Sequence, residues 1–234
     1  MKRRISAIHI IVLISVGFAL LGNPSPCGAY SSSYGPGAYM TPVKNQGNNG
    51  VCWDFAATAG LETLMKRTGA TWNPDYSEEH MRFWMSYKNP TYNLSNNPEG
   101  IGRNPDNGGD FEYAASYYTN WTGPANEKDA PYVATTGEAW PASKMKASAQ
   151  RHVTGTEFVG NDINKMKAAI YAYGGVEVSI FAPDVYPGNP NYNSVNFDIK
   201  NYALYNDVAR ETNHAVFICG WNDNYPRTNF LAGK

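Results

Sequence analysis

The residue types able to do covalent chemistry converge on one thiol. Cys52 follows a loop-forming stretch, residues 41–50 (TPVKNQGNNG), and opens the strongest helical pattern in the chain. A helix N-terminus favours a thiolate, because its free N–H groups and dipole stabilise negative charge. A cysteine nucleophile needs that setting and a base to pair with. Among His80, His152 and His214, the last stands out, since it opens the apolar run Ala215–Trp221 (AVFICGW). An imidazole at the start of a rigid strand can be held at a fixed distance from a helix terminus. Placement alone is equally compatible with an inert buried cysteine and a surface histidine.

The elements that must hold these residues follow from periodicity. From Val51 to Arg67, apolar or small residues recur at Trp53, Ala56, Ala57, Gly60, Leu61, Leu64 and Met65. That spacing predicts a helix with one buried stripe, closed by Lys66, Arg67 and a left-handed Gly69. Shorter helices are expected from Ser77 to Met85, from Phe111 to Trp121 and from Asp162 to Tyr173. Val176, Val178 and Ile180 alternate with polar residues, as in a half-buried strand. Residues 88–110 and 183–201 read as loops. Helices come early and strands late, so an α+β fold with segregated halves is expected.

Composition narrows the function classes. The chain has 234 residues, 42% of them hydrophobic and 14% aromatic, enough for a packed core. A net charge of −1 gives no polyelectrolyte signal, so no nucleic-acid partner is expected. Residues 1–29 read as a signal peptide: Lys2, Arg3 and Arg4 precede the apolar run Ile10–Leu21, and Cys27-Gly28-Ala29 offers small residues for cleavage at Ala29/Tyr30. An uncleaved anchor is the competing reading. No second apolar run approaches membrane-spanning length, so the mature protein is expected off the membrane, secreted or periplasmic. Nothing in the sequence bears on oligomeric state.

The local motifs add a specific resemblance. Thr41-Pro42-Val43-Lys44-Asn45-Gln46-Gly47, followed by Gly50-Val51-Cys52-Trp53-Asp54-Phe55, resembles the papain-like cysteine peptidases. It continues in family order through Tyr76-Ser77-Glu78-Glu79, Asn107-Gly108-Gly109 and Asn213-His214-Ala215-Val216 to Gly220-Trp221. The ending Gly220–Tyr225 is most similar to a bacterial lectin-like branch. The resemblance implies a helical N-terminal half, an antiparallel β half and a cleft between them. It implies a polypeptide substrate, Cys52 as nucleophile and His214 as its base and acid. Gln46 would donate to the oxyanion beside the Cys52 N–H, and Gly108 and Gly109 would pair with an extended substrate. No cofactor or metal is implied.

Several positions depart from the family pattern. Asn49 and Asp106 stand where the family carries a disulfide pair. Asp54 replaces a small apolar residue, and is expected to face solvent as a favourable helix start. If it faced the thiol, its charge would oppose thiolate formation. Cys219 reads as a buried hydrophobe. The family's Asn-Ser-Trp-Gly segment, whose Asn orients the histidine, is not found before Lys234. Asn222, Asn224 and Asn229 lack that context. The expectation is a peptidase domain over 30–234, truncated before that segment, with an incomplete β half. The leading function is an exported cysteine endopeptidase working through an acyl-thioester. The alternatives are an impaired papain-fold module that binds peptide or glycan, and a Cys-His transamidase.

Overall fold

The structure, a computed structural model, describes residues 11–15, 30–35, 37–86, 106–134, 146–182, 196–206 and 209–231, of which 11–15 are described by backbone alone. Strand β1 is Ile11–Ser15 and β2 is Ser33–Tyr34. Helix α1 spans Cys52–Arg67, α2 Glu78–Trp84 and α3 Phe111–Thr119. Strand β3 is Val153–Phe158, α4 is Ile163–Tyr173 and β4 is Val176–Ile180. Four strands follow: β5 Phe197–Asp198, β6 Ala203–Leu204, β7 His214–Ile218 and β8 Trp221–Asn222.

The predicted stripe of α1 is its buried face: Trp53, Ala57 and Leu61 are fully covered. They pack with Met81 of α2 and with Phe111, Ala114, Tyr117 and Tyr118 of α3. Burying one such leucine contributes about 2 kcal/mol. Ser77 starts α2 by accepting the His80 N–H, at 2.9 Å. Asp162 starts α4 by accepting the N–H groups of Asn164 and Lys165. Gly174 ends α4 at φ 99°, and a Cβ there would lie 2.6 Å from the Thr63 methyl.

The second core lies between α4 and the strands. Ala169 and Ile170 of α4 meet Val176 and Val178 of β4 and Val159. Strand β4 pairs antiparallel with β7, from Val176↔Ile218 to Ile180↔His214. The other pairs, β1–β3, β2–β8 and β5–β6, are also antiparallel. Helices thus dominate the N-terminal part and antiparallel strands the C-terminal part, the α+β arrangement expected. Helix α1 packs along β7 and joins the two, with Ala215 inside the helical core and Phe217 against it.

The differences from expectation have local causes. β3 has only Val153 buried, so its TGTEF continuation carries no alternation to read. Residues 197–204 form a small hairpin inside a stretch expected to be loop. The expected single strand Ala215–Trp221 is two strands, broken at Cys219-Gly220. A Cβ on Gly220 would lie 2.4 Å from the Tyr34 carbonyl, so the chain turns there against β2. Ile11–Ser15, within the segment read as a leader, pairs with Val153–Phe158. Cys27, Ala29 and residues 88–105 of the long loop lie outside the described residues.

Candidate active site

Cys52 is the first residue of α1 and is half-buried against the helical core. Val51 precedes it without a side-chain cap; its carbonyl accepts the N–H groups of Asp54 (3.0 Å) and Phe55 (3.2 Å). The Cys52 N–H is among the four that helix geometry leaves without an intrahelical acceptor. It is thus a donor adjacent to the thiol. Gln46 reaches the same turn from the loop. Its amide donates to the Asn49 carbonyl at 2.9 Å, and the Val51 N–H donates to that same carbonyl at 2.9 Å. The Gln46 amide has two hydrogens, so one remains for another acceptor.

His214 is the first residue of β7, opposite Ile180 and half-buried. Burial pushes its imidazole below the ordinary range, which favours the neutral form that can take a thiol proton. Asn213, which sequence reasoning left without a role, fixes the strand end. Its side chain accepts from the Ala182 N–H at 2.7 Å and donates to the Ala182 carbonyl at 2.8 Å. The fold therefore brings the element that begins with Cys52 against the one that begins with His214. Ala215, next to His214, belongs to the core that Cys52 contacts.

The other histidines are otherwise engaged. His80 Nε2 accepts from the Trp84 indole at 3.0 Å and Nδ1 meets the Tyr117 hydroxyl at 2.6 Å. Burial lowers it to about 4, so it stays neutral and structural. His152 stacks on Trp121 at 4.3 Å.

Gly108 and Gly109 sit directly beside the start of α1. A Cβ on Gly109 would fall 2.5 Å from the Trp53 indole nitrogen, and one on Gly50 would fall 2.2 Å from the Asp106 carbonyl. At Gly50 and Gly109, therefore, backbone meets backbone or ring with no room for a side chain. Gly108 adopts φ +66°, a conformation other residues rarely take.

Asp54 does not face solvent; it is fully buried. The Thr58 hydroxyl donates to Asp54 Oδ1 at 3.3 Å, and Thr58 also contacts the Tyr118 hydroxyl at 3.3 Å. Burial, with the Glu78 charge adding to it, pushes the Asp54 carboxyl well above its usual range. The neutral acid is favoured, which removes the charge that would oppose a thiolate.

A buried ionic network ties the loop before Cys52 to two helices. Glu62 of α1 accepts from Thr41 (2.7 Å), Lys44 (2.8 Å) and the Tyr76 N–H (2.7 Å). Lys44 also pairs with Glu78 at 3.0 Å. Burial opposes the Lys44 charge, but Glu78 and Glu62 outweigh it and hold the ammonium above the ordinary lysine range. Burial raises Glu78 to about 8 against the pull of Lys44. Arg82 pairs with Glu79 at 3.3 Å and with Asp106 at 2.8 Å. Sequence reading missed this network, because Glu78 and Glu79 read only as a helix start and a family motif while the partner Lys44 lies 34 residues away from Glu78.

Cys219 is not the buried strand residue expected: it lies just past β7, half-buried and unpaired, as Cys52 is. Burial raises its thiol, which disfavours reactivity. Among the described residues, no group of three or more His, Cys, Asp or Glu is arranged to hold a metal, and no helix is long and apolar enough to cross a membrane.

Mouse cathepsin K is 28% identical over 196 residues, covering 82% of this chain and 50% of that protein. Cysteine proteinase 1 of Entamoeba histolytica is 30% identical over 177 residues, covering 75% of this chain and 47% of that protein. The clostridial cysteine protease Cwp84 after propeptide cleavage superposes with a TM-score of 0.66 at 32% identity, covering 86% of this chain and 47% of that one. A second Cwp84 structure, of the cysteine protease and lectin-like domains of this surface layer associated protein of Clostridium difficile, gives 0.64 at 31% identity, covering 87% and 41%. The chain spans about half the length of these relatives. The family model described as papain family cysteine protease matches residues 32–232, and the chain belongs to that family.

Proposed function

We propose that the protein is an exported cysteine endopeptidase acting on extended polypeptides. The observation that carries this reading is the pairing of α1, which begins with Cys52, against β7, which begins with His214. In the proposed reaction His214 accepts the thiol proton and the Cys52 sulfur attacks the peptide carbonyl. The C=O electron pair moves to oxygen, where the Gln46 amide and the Cys52 N–H donate to it. Collapse breaks the C–N bond, and the imidazolium returns its proton to the leaving amine. Water, deprotonated by His214, then cleaves the thioester and restores the thiol. Gly108 and Gly109 would offer backbone to the substrate strand. Export is supported by the basic start and apolar run of residues 1–29.

The test is hydrolysis of quenched fluorescent casein. Cys52→Ala and His214→Ala should each abolish turnover while unfolding curves stay near wild type. Turnover that survives Cys52→Ala would refute the assignment. Exposed aromatic rings at Trp72, Trp121 and Tyr202 favour a second reading, a peptide- or glycan-binding module. Saturable binding unaffected by Cys52→Ala, without turnover, would establish that reading instead.

A further inference from the structure

We propose that Tyr132 is a positioning residue for the oxyanion donor Gln46, an inference that rests on the catalytic reading above. The Tyr132 hydroxyl donates to the Gln46 backbone carbonyl at 2.8 Å. It accepts from the Asn49 side-chain amide at 2.9 Å. Gln46 in turn donates from its own amide to the Asn49 carbonyl at 2.9 Å. These three bonds close a ring through Gln46, Asn49 and Tyr132. Asn49 is 2% exposed, and its second amide hydrogen goes to the Val133 carbonyl at 3.1 Å, so the amide cannot turn away freely.

The ring is anchored to the nucleophile helix at two points. The Tyr132 ring stands edge-on to Phe55 of α1, with centroids 4.9 Å apart. The Asn49 carbonyl that holds Gln46 also accepts the N–H of Val51, the residue before Cys52. Tyr132 thus ties a loop more than 80 residues away in sequence and the start of α1 to one geometry. Asn49 occupies the position where the family resemblance places a disulfide cysteine, and Asp106, its expected partner, pairs with Arg82 at 2.8 Å. A hydrogen-bonded brace starts from the position where the family pattern has a covalent one. Without the Tyr132 hydroxyl, the Gln46 carbonyl loses its donor and the loop gains freedom. A donor displaced by a fraction of an ångström loses part of its effect on the oxyanion, since catalysis is steeply sensitive to such placement.

The experiment is a double-mutant cycle on kcat/KM for quenched fluorescent casein, using wild type, Tyr132→Phe, Gln46→Ala and the pair. A parallel measurement follows alkylation of Cys52 by iodoacetamide, which forms no oxyanion. Loss of one oxyanion donor costs about 100-fold, so Gln46→Ala should fall by about that factor. Tyr132→Phe should fall about tenfold in the wild-type background and less than about twofold when Gln46 is already Ala, because the two act through one bond. Its alkylation rate should stay within about twofold of wild type. If Gln46→Ala leaves casein cleavage intact, or wild type does not turn over, the catalytic reading fails and this inference with it. If Gln46→Ala is impaired and Tyr132→Phe is silent, or its loss multiplies fully with that of Gln46→Ala, the positioning role alone is overturned. Equal slowing of alkylation and cleavage in Tyr132→Phe would also overturn it, by showing a general disturbance of α1. Asn49→Ala removes the donor behind Tyr132 and carries the same expectations should Tyr132→Phe not fold.

Discussion

Glu177 offers the sharpest perturbation of the fold. It lies on β4 opposite Phe217 of β7, facing α1, where a Cβ on Gly60 would lie 3.4 Å from its Oε1. It is 1% exposed, and its Oε2 has no hydrogen-bond partner among the described residues. Burial pushes its carboxyl well above the ordinary 4.5. A raised folded pKa means that the folded protein holds the proton more tightly than the unfolded chain. Stability from this group is therefore full below pH 4.5 and is lost as pH rises toward the folded value. Each pH unit between the unfolded and the folded value costs about 1.4 kcal/mol. Glu177→Gln keeps the shape and removes the titration. Urea unfolding followed by tryptophan fluorescence, in a Cys52→Ala background to prevent self-digestion, should show little gain at pH 4 and a gain that grows toward pH 7 by up to about 1.4 kcal/mol per pH unit. A stability difference that does not change with pH would refute the reasoning, as would a variant less stable than its parent at pH 7.

Other outcomes follow from named contacts. Lys44→Met should destabilise the protein by about 3–5 kcal/mol in the same unfolding assay, because it leaves Glu62 and Glu78 buried without their cation. Gly109→Ala should impair both stability and casein cleavage more than Gly108→Ala, since its Cβ would strike Trp53 whereas none would be met at Gly108. N-terminal sequencing of the exported protein should begin at Tyr30; recovery of chains beginning at Met1 would contradict leader cleavage.

The sequence was most legible where one element satisfies its own signals. Helix α1 has a stripe that matches its buried face, and α4 has both Asp162 and Gly174 at its ends. Strand β4 was legible from its alternating Val176, Val178 and Ile180, but it is not the half-buried strand expected: Glu177, on the opposite face, is as buried as Val176 and Val178. The motif residues Cys52, Gln46, His214, Gly108 and Gly109 were legible through resemblance, and the fold places them on the loop, helix terminus and strand expected. What escaped reading depends on partners distant in sequence. β3 looks featureless because only Val153 faces the core. Asp54 looks like a solvent-facing helix start, yet Thr58 and the surrounding core enclose it. Tyr132 and Asn49 acquire meaning only when the chain folds back across more than 80 residues.

The proposed function depends first on Cys52 being the reactive thiol of the site. Incubation with an electrophilic epoxide probe, followed by peptide mass spectrometry, tests it most directly. The expected result is one adduct, on the peptide containing Cys52, lost in Cys52→Ala and strongly slowed in His214→Ala while Cys219 stays unmodified. Modification of Cys219 in preference to Cys52, or an unreactive Cys52 in the folded protein, would contradict the account.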